Sequence, residues 1–228
     1  MNPLEGWAAL EEQSRRVLLD QVLERLPPWL ELAELAELGA QTRFRDNRSS
    51  ETWRLFCGGA VTLGATPERL AAVEDFQRRD PMTLFDPTVY WPVREVKVSP
   101  FLLMEKVISV GDEPRVFFRD VLKEQQALLA QRGQRLPTEA EWEFSWWTVQ
   151  TQRDHWDPAT SELCADGWRP HLHDLTAENP LVPGGPQVVR TGSFDARALE
   201  SVFPPRLPLS LMRLVSIRPA LDVPALSA

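Results

Sequence analysis

RLPTEAEWEF, residues 135–144, is the stretch whose reading decides the fold. Leu136-Pro137-Thr138 reads as an extended lead-in, with Thr138 as helix N-cap and Glu141 three residues on. That spacing is a capping box, T-x-x-E, in which two backbone N–H groups left over at the helix start find side-chain acceptors. Glu139 and Glu141 also fall in the first turn, where the positive end of the helix dipole favours carboxylates. Trp142, Trp146 and Trp147 then offer a large aromatic face for burial. The rest of the chain is expected to organise around this helix.

Taken whole, the string closely resembles the RLPTEAEWE signature of the formylglycine-generating enzyme family. That family's fold is a variant of the C-type lectin fold. It also includes the catalytic domains of iron-dependent sulfoxide synthases and many binding proteins with no chemistry. The resemblance implies an α+β domain of short strands and two or more helices over residues 53–220.

Composition sets the outer bounds. A chain of 228 residues, 43% apolar with 9 Trp and 10 Phe, can bury a sizeable core. Its formal net charge of −8 argues against a nucleic-acid partner, whose phosphates are bound by clustered Lys and Arg. The start MNPLEGWAALEEQ lacks the basic and apolar regions of a signal peptide. No run approaches the roughly eighteen apolar residues that a bilayer span needs. These features predict a cytoplasmic chain with no membrane partner. Two cysteines, Cys57 and Cys164, are too few for a disulfide framework and read as buried thiols rather than a disulfide or metal pair.

Residues 1–40 read as a helical extension. Leu10, Val17, Leu18, Val22 and Leu23 among Glu, Gln and Arg give an amphipathic helix over 7–26, ended by Pro27-Pro28. WLELAELAEL, residues 29–38, reads as a second short helix stopped by Gly39. Its Trp29, Leu32, Leu35 and Leu38 recur every three residues, either to pack on the domain's own core or to dock a partner chain. The polar residues 41–52 read as a linker and 221–228 as a tail.

Within 53–220, WRLFCGGAVTLGAT reads as a buried strand resembling the family's opening one. Gly58, Gly59 and Gly64 lack the Lys-Ser/Thr of a phosphate loop and suit turns. Residues 67–78 should be a short helix with Leu70, Val73 and Phe76 inward. Val93, Val96 and Val98 show strand periodicity within 92–109, and Glu105, Val107 and Ser109 approximate the family's E-V-T. VFFRDVLKEQQALLAQRGQ is an amphipathic helix that delivers the signature. ATSELCADGW, VVRTGSF and Met212-Arg213-Leu214-Val215 resemble the family's later motifs.

The departures from that pattern bear on function. The resemblance would place a calcium asparagine near Ala159, and two copper(I)-binding cysteines near Ala196 and Ser201. Soft thiolates suit copper(I), and neither position supplies one. The iron-dependent branch needs a histidine triad, and the chain has three histidines, none in the N-terminal helices. His171 and His173 form an H-x-H pair that is a weak metal candidate, otherwise a solvated pair. Ser193 resembles the serine next to the family's active site but has no legible base or orienting acid beside it. Asp154, Asp157 and Asp166 are the remaining acids for a paired-carboxylate site, with nothing to place them in one cleft.

No catalytic residue and no cofactor is therefore expected. The leading expectation is a non-catalytic binding or scaffolding protein in a bacterial multi-protein system, with another protein as partner. The alternative is an oxidoreductase-like enzyme, or enzyme subunit, using a non-standard site. The binding face is expected between about 148 and 206, where the chain departs most from the family. There Trp156, Trp168, Phe194 and Phe203 lie among Arg169, Arg190, Arg197 and Arg206, with Ser193 alongside. Such aromatics flanked by arginine either anchor interfaces or fill a shrunken core. Trp29, Leu32, Leu35 and Leu38 form the rival docking surface.

Overall fold

A computed structural model describes residues 11–34, 42–64, 66–68, 70–71, 78, 93–110, 115–152, 161–167, 186–191, 206–208 and 215–224. Three helices and twelve strands with defined bounds lie among them, a mixed α+β architecture. Strands β1 (Leu30–Glu34), β2 (Arg43–Asp46), β3 (Thr52–Phe56), β6 (Phe101–Met104) and β12 (Ala220–Asp222) form one antiparallel sheet in the order β1-β2-β3-β6-β12. A second sheet runs β10-β9-β8-β11-β7, from β7 (Ile108–Val110), β8 (Ser161–Gly167), β9 (Gln187–Thr191), β10 (Arg206–Pro208) and β11 (Val215–Ile217). It is antiparallel except where β11 runs parallel to β8. A ribbon of β4 (Gly59–Leu63) and β5 (Arg94–Val98) completes the strands.

The period-two pattern of the first sheet gives it two different faces. Trp53, Leu55, Leu102, Met104 and Leu221 share one face, where Leu19, Val22 and Leu26 from helix α1 (Glu12–Leu23) and the turn after it cover them. Phe56, Phe101, Leu103 and Ala220 share the other, and pack with Val96 and Val98 of the ribbon and Ala140 and Val149 of helix α3 (Glu139–Gln152). Helix α2 (Arg115–Gln131) places Leu122 and Leu129 on the second sheet, against Leu163, Val189, Val215 and Ile217.

Helix α3 is apolar on two sides. Ala140, Phe144 and Val149 look toward the first sheet and the ribbon, while Trp142 and Trp146 look toward Cys164 and Val188 of the second sheet. The two indoles stack with centroids 5.3 Å apart and planes at 10°. A helix used this way has no solvent face over most of its length, and residues 139–143 and Ser145 are indeed buried or nearly so.

Glycine is required at two joints. At Gly58 φ is +71°, and a Cβ would collide with the Val98 carbonyl, so the stretch expected as one strand breaks into β3 and β4 here. Gly133, at φ +69°, ends α2 in a Schellman motif: the Gln134 N–H donates to the Leu129 carbonyl (2.8 Å) and the Gly133 N–H to that of Ala130 (3.0 Å). This turn delivers Arg135 to β12, where its backbone N–H and carbonyl bond those of Ala220 at 2.9 and 2.7 Å.

Three expectations are corrected. Leu30–Glu34 is a strand, not part of a helix. Leu30 and Leu32 stand two residues apart while Trp29, Leu32, Leu35 and Leu38 stand three apart, so the stretch carries both spacings, and a helix of about ten residues is marginal by itself. Pairing with β2 supplies a ladder and buries Leu30. Second, Arg43–Asp46, within the expected linker, is the strand β2; Phe44 hides on the α1 side while Arg43 and Arg45 face the other way. Third, the expected tail at 221–228 begins inside the core: Leu221 and Val223 are buried beneath α1.

The helices at 12–23 and 115–131 form, the strand period at 93–98 is β5, and helical turns appear at 67–68, 70–71 and 78. Val73 and Phe76 lie outside the described residues. No helix among the described residues is long and apolar enough to cross a membrane.

Candidate functional site

The signature sits where the two sheets meet, and its polar groups do the joining. The capping box is complete: the Thr138 N–H donates to Glu141 Oε2 (2.7 Å) and the Glu141 N–H to Thr138 Oγ1 (3.1 Å). Arg135 holds both oxygens of the same Glu141 at 2.7 Å and also reaches Asp222 Oδ1 at 2.6 Å. A carboxylate that caps a helix and accepts a bidentate guanidinium has its lone pairs in use.

Glu139 and Glu143 are engaged by one arginine from the second sheet. Arg190 Nη1 lies 3.1 Å from Glu139, and Nη2 lies 3.6 Å from Glu143. The guanidinium carbon stands 5.1 Å from the centre of the Trp142 ring. Glu143 Oε1 also accepts the Gly64 N–H at 3.0 Å, and Asp166 accepts the Glu139 N–H from β8. The Ala165 N–H donates to the Pro137 carbonyl (2.9 Å), so backbone as well as side chains fix the signature to β8.

A second arginine ties the sheets directly. Arg218, in the link between β11 and β12, is fully buried and grips Glu162 of β8 with Nε–Oε2 at 2.7 Å and Nη2–Oε1 at 2.8 Å. Its Nη1 donates to the Met104 carbonyl at 3.0 Å and to that of Glu105, at the end of β6. Glu162 Oε2 further accepts Trp142 Nε1–H at 3.0 Å. At the margin, Glu105 pairs with Arg43 at 2.9 Å and with the buried Arg54.

This arrangement is chemically closed. General acid–base catalysis needs a carboxyl within reach of a substrate proton. Glu139, Glu141, Glu143 and Glu162 are 4% exposed or less at the side chain and turned onto arginines and N–H donors. Of the two thiols, Cys164 is buried and Cys57 half-buried. Burial pushes Cys57 up to about 12. Burial also pushes Cys164 well up, helped by the Glu139, Asp166 and Glu162 carboxylates and opposed in part by Arg190. Both are free thiols in separate packing clusters, so they do not fit the paired thiolates of a copper(I) site. Among the described residues no group of three His, Cys, Asp or Glu is placed to hold a metal ion.

The residues singled out in the sequence scatter. Arg190 is corrected: at 2% exposure it belongs to the interior, not to an exposed face. Trp29 is half-buried against Trp53, with centroids 6.1 Å apart, and carries the Arg48 guanidinium 3.8 Å above its ring. Leu32 is exposed on β1. Arg206 opens β10 opposite Arg190. Asp166 binds the signature's backbone, which removes it from the acid-pair reading. Trp156, Trp168, Arg169, His171, His173, Ser193, Phe194, Arg197 and Phe203 lie outside the described residues, as do Leu35, Leu38, Asp154 and Asp157.

Strand register orders the described residues of the second sheet. Ser161 pairs with Thr191 and Gly167 with Gln187, while Arg206 pairs with Arg190. Ser161, Thr191 and Arg206 thus lie toward one end of β9, and Gly167 and Gln187 toward the other.

Sequence reasoning missed the Arg218–Glu162 and Arg190–Glu139 pairs, whose partners stand 56 and 51 residues apart. A signal was present. WRLF, VVRT and VSIR each set an arginine inside an apolar strand run, and a buried arginine needs a carboxylate. Compared with protein-family models and with curated proteins, the chain matches none.

Proposed function

We propose that the chain is a non-catalytic binding or scaffolding protein in a bacterial multi-protein system, cytoplasmic, with another protein as its partner. We propose also that its fold is the formylglycine-generating-enzyme variant of the C-type lectin fold. The observation that carries the functional reading is the closure of the signature: every carboxylate of RLPTEAEWE is spent on an internal arginine, a cap or a backbone N–H. Such groups hold a scaffold together and leave recognition to the segments that leave it. The binding face is proposed to lie between about 148 and 206, away from the signature.

The test has two arms. The purified chain should contain neither copper nor calcium stoichiometrically and should consume no oxygen with thiol substrates; turnover there contradicts the reading. For recognition, partner capture from the native source is compared across Trp156→Ala/Arg197→Ala, Trp168→Ala/Arg169→Ala and Leu32→Asp. One of the double variants should abolish capture. Loss with Leu32→Asp alone moves the contact to β1. Deleting residues 1–40 is not a usable control, because Leu19, Val22 and Leu30 belong to the core.

A further inference from the structure

We draw no further inference here: the strongest candidate, the outer edge of strand β1 with its exposed Leu32 beside the Trp29–Arg48 stack, is short, acidic and bulged between Leu32 and Glu34, and nothing in the structure shows what covers it.

Discussion

The two faces of the first sheet are held by different forces. Under α1 the contacts are mainly apolar, from Leu19, Val22 and Leu26 onto Phe44, Trp53 and Leu102, with one buried arginine, Arg15, on the helix. Around α3 the apolar contacts are laced with buried charge: Arg190 on Glu139 and Glu143, Arg135 on Glu141, and Arg218 on Glu162. Apolar packing is tolerant of shape changes that conserve volume, whereas a buried ion pair penalises every alternative that leaves one partner unmatched. The α1 layer therefore supplies burial. The α3 junction supplies burial and also fixes which parts meet.

The sharpest way to break this comparison is to truncate each region and then to restore its volume. Trp142→Ala should cost about 3–5 kcal/mol and Leu19→Ala about 2–5 kcal/mol in urea unfolding, the ranges for emptied core sites. Variants that restore the volume in whole or in part should then separate the two. Leu19→Met should cost under about 1.5 kcal/mol. Trp142→Phe keeps a ring but only part of the indole volume, and should still cost about 1–3 kcal/mol, from the lost Nε1–H bond to the buried Glu162 together with the space left by the missing atoms. Equal recovery at both sites would show that the junction is ordinary apolar packing.

The cap sharpens the comparison at smaller scale. Thr138→Ala removes the side-chain acceptor for the Glu141 N–H and should cost about 1 kcal/mol. Glu141 remains on Arg135, so the loss is that of a cap and not of a charge pair. A loss as large as that of Trp142→Ala would place Thr138 within the charge network itself.

Legibility in the sequence followed the range of the interactions. The capping box spans four residues and was readable as written, as was the alternation of Val96 and Val98 in β5. Trp142 and Trp146 were readable as a buried face; that α3 would also turn Ala140 and Val149 to a second sheet was not. Leu30–Glu34 reads as helix because Trp29 and Leu32 stand three apart while Leu30 and Leu32 stand two apart, and β2, which decides between the spacings, lies in a polar stretch with Phe44 its only apolar residue. Arg190 was misplaced for a related reason. Its burial depends on Glu139 and Glu143, about fifty residues earlier, which local pattern does not connect.

The smallest expected effect lies at the β2–β3 turn, on the α1 side. Burial pushes the Asp46 carboxyl up, but hydrogen bonds from the Arg48 side chain and N–H, with its charge, outweigh this and leave it below the ordinary range. A lowered folded value means that the stabilisation is complete above the unfolded value of about 3.9 and is lost as pH falls through the folded one. Asp46→Asn should therefore lower stability at neutral pH and flatten its acid limb. An unchanged limb between about pH 4 and 2 would show that Asp46 is not tied to Arg48 in solution.

The central claim is that buried charge pairs join the two sheets, and a double-mutant cycle on Arg218 and Glu162 tests it most directly. Glu162→Gln and Arg218→Met each keep most of the volume while unpairing the other partner. Each should cost about 3–5 kcal/mol by urea unfolding. The double variant should cost less than the sum by about 0.5–3 kcal/mol, the range for directly coupled residues. Losses that add to within about 0.5 kcal/mol would contradict the claim and return the junction to apolar packing alone.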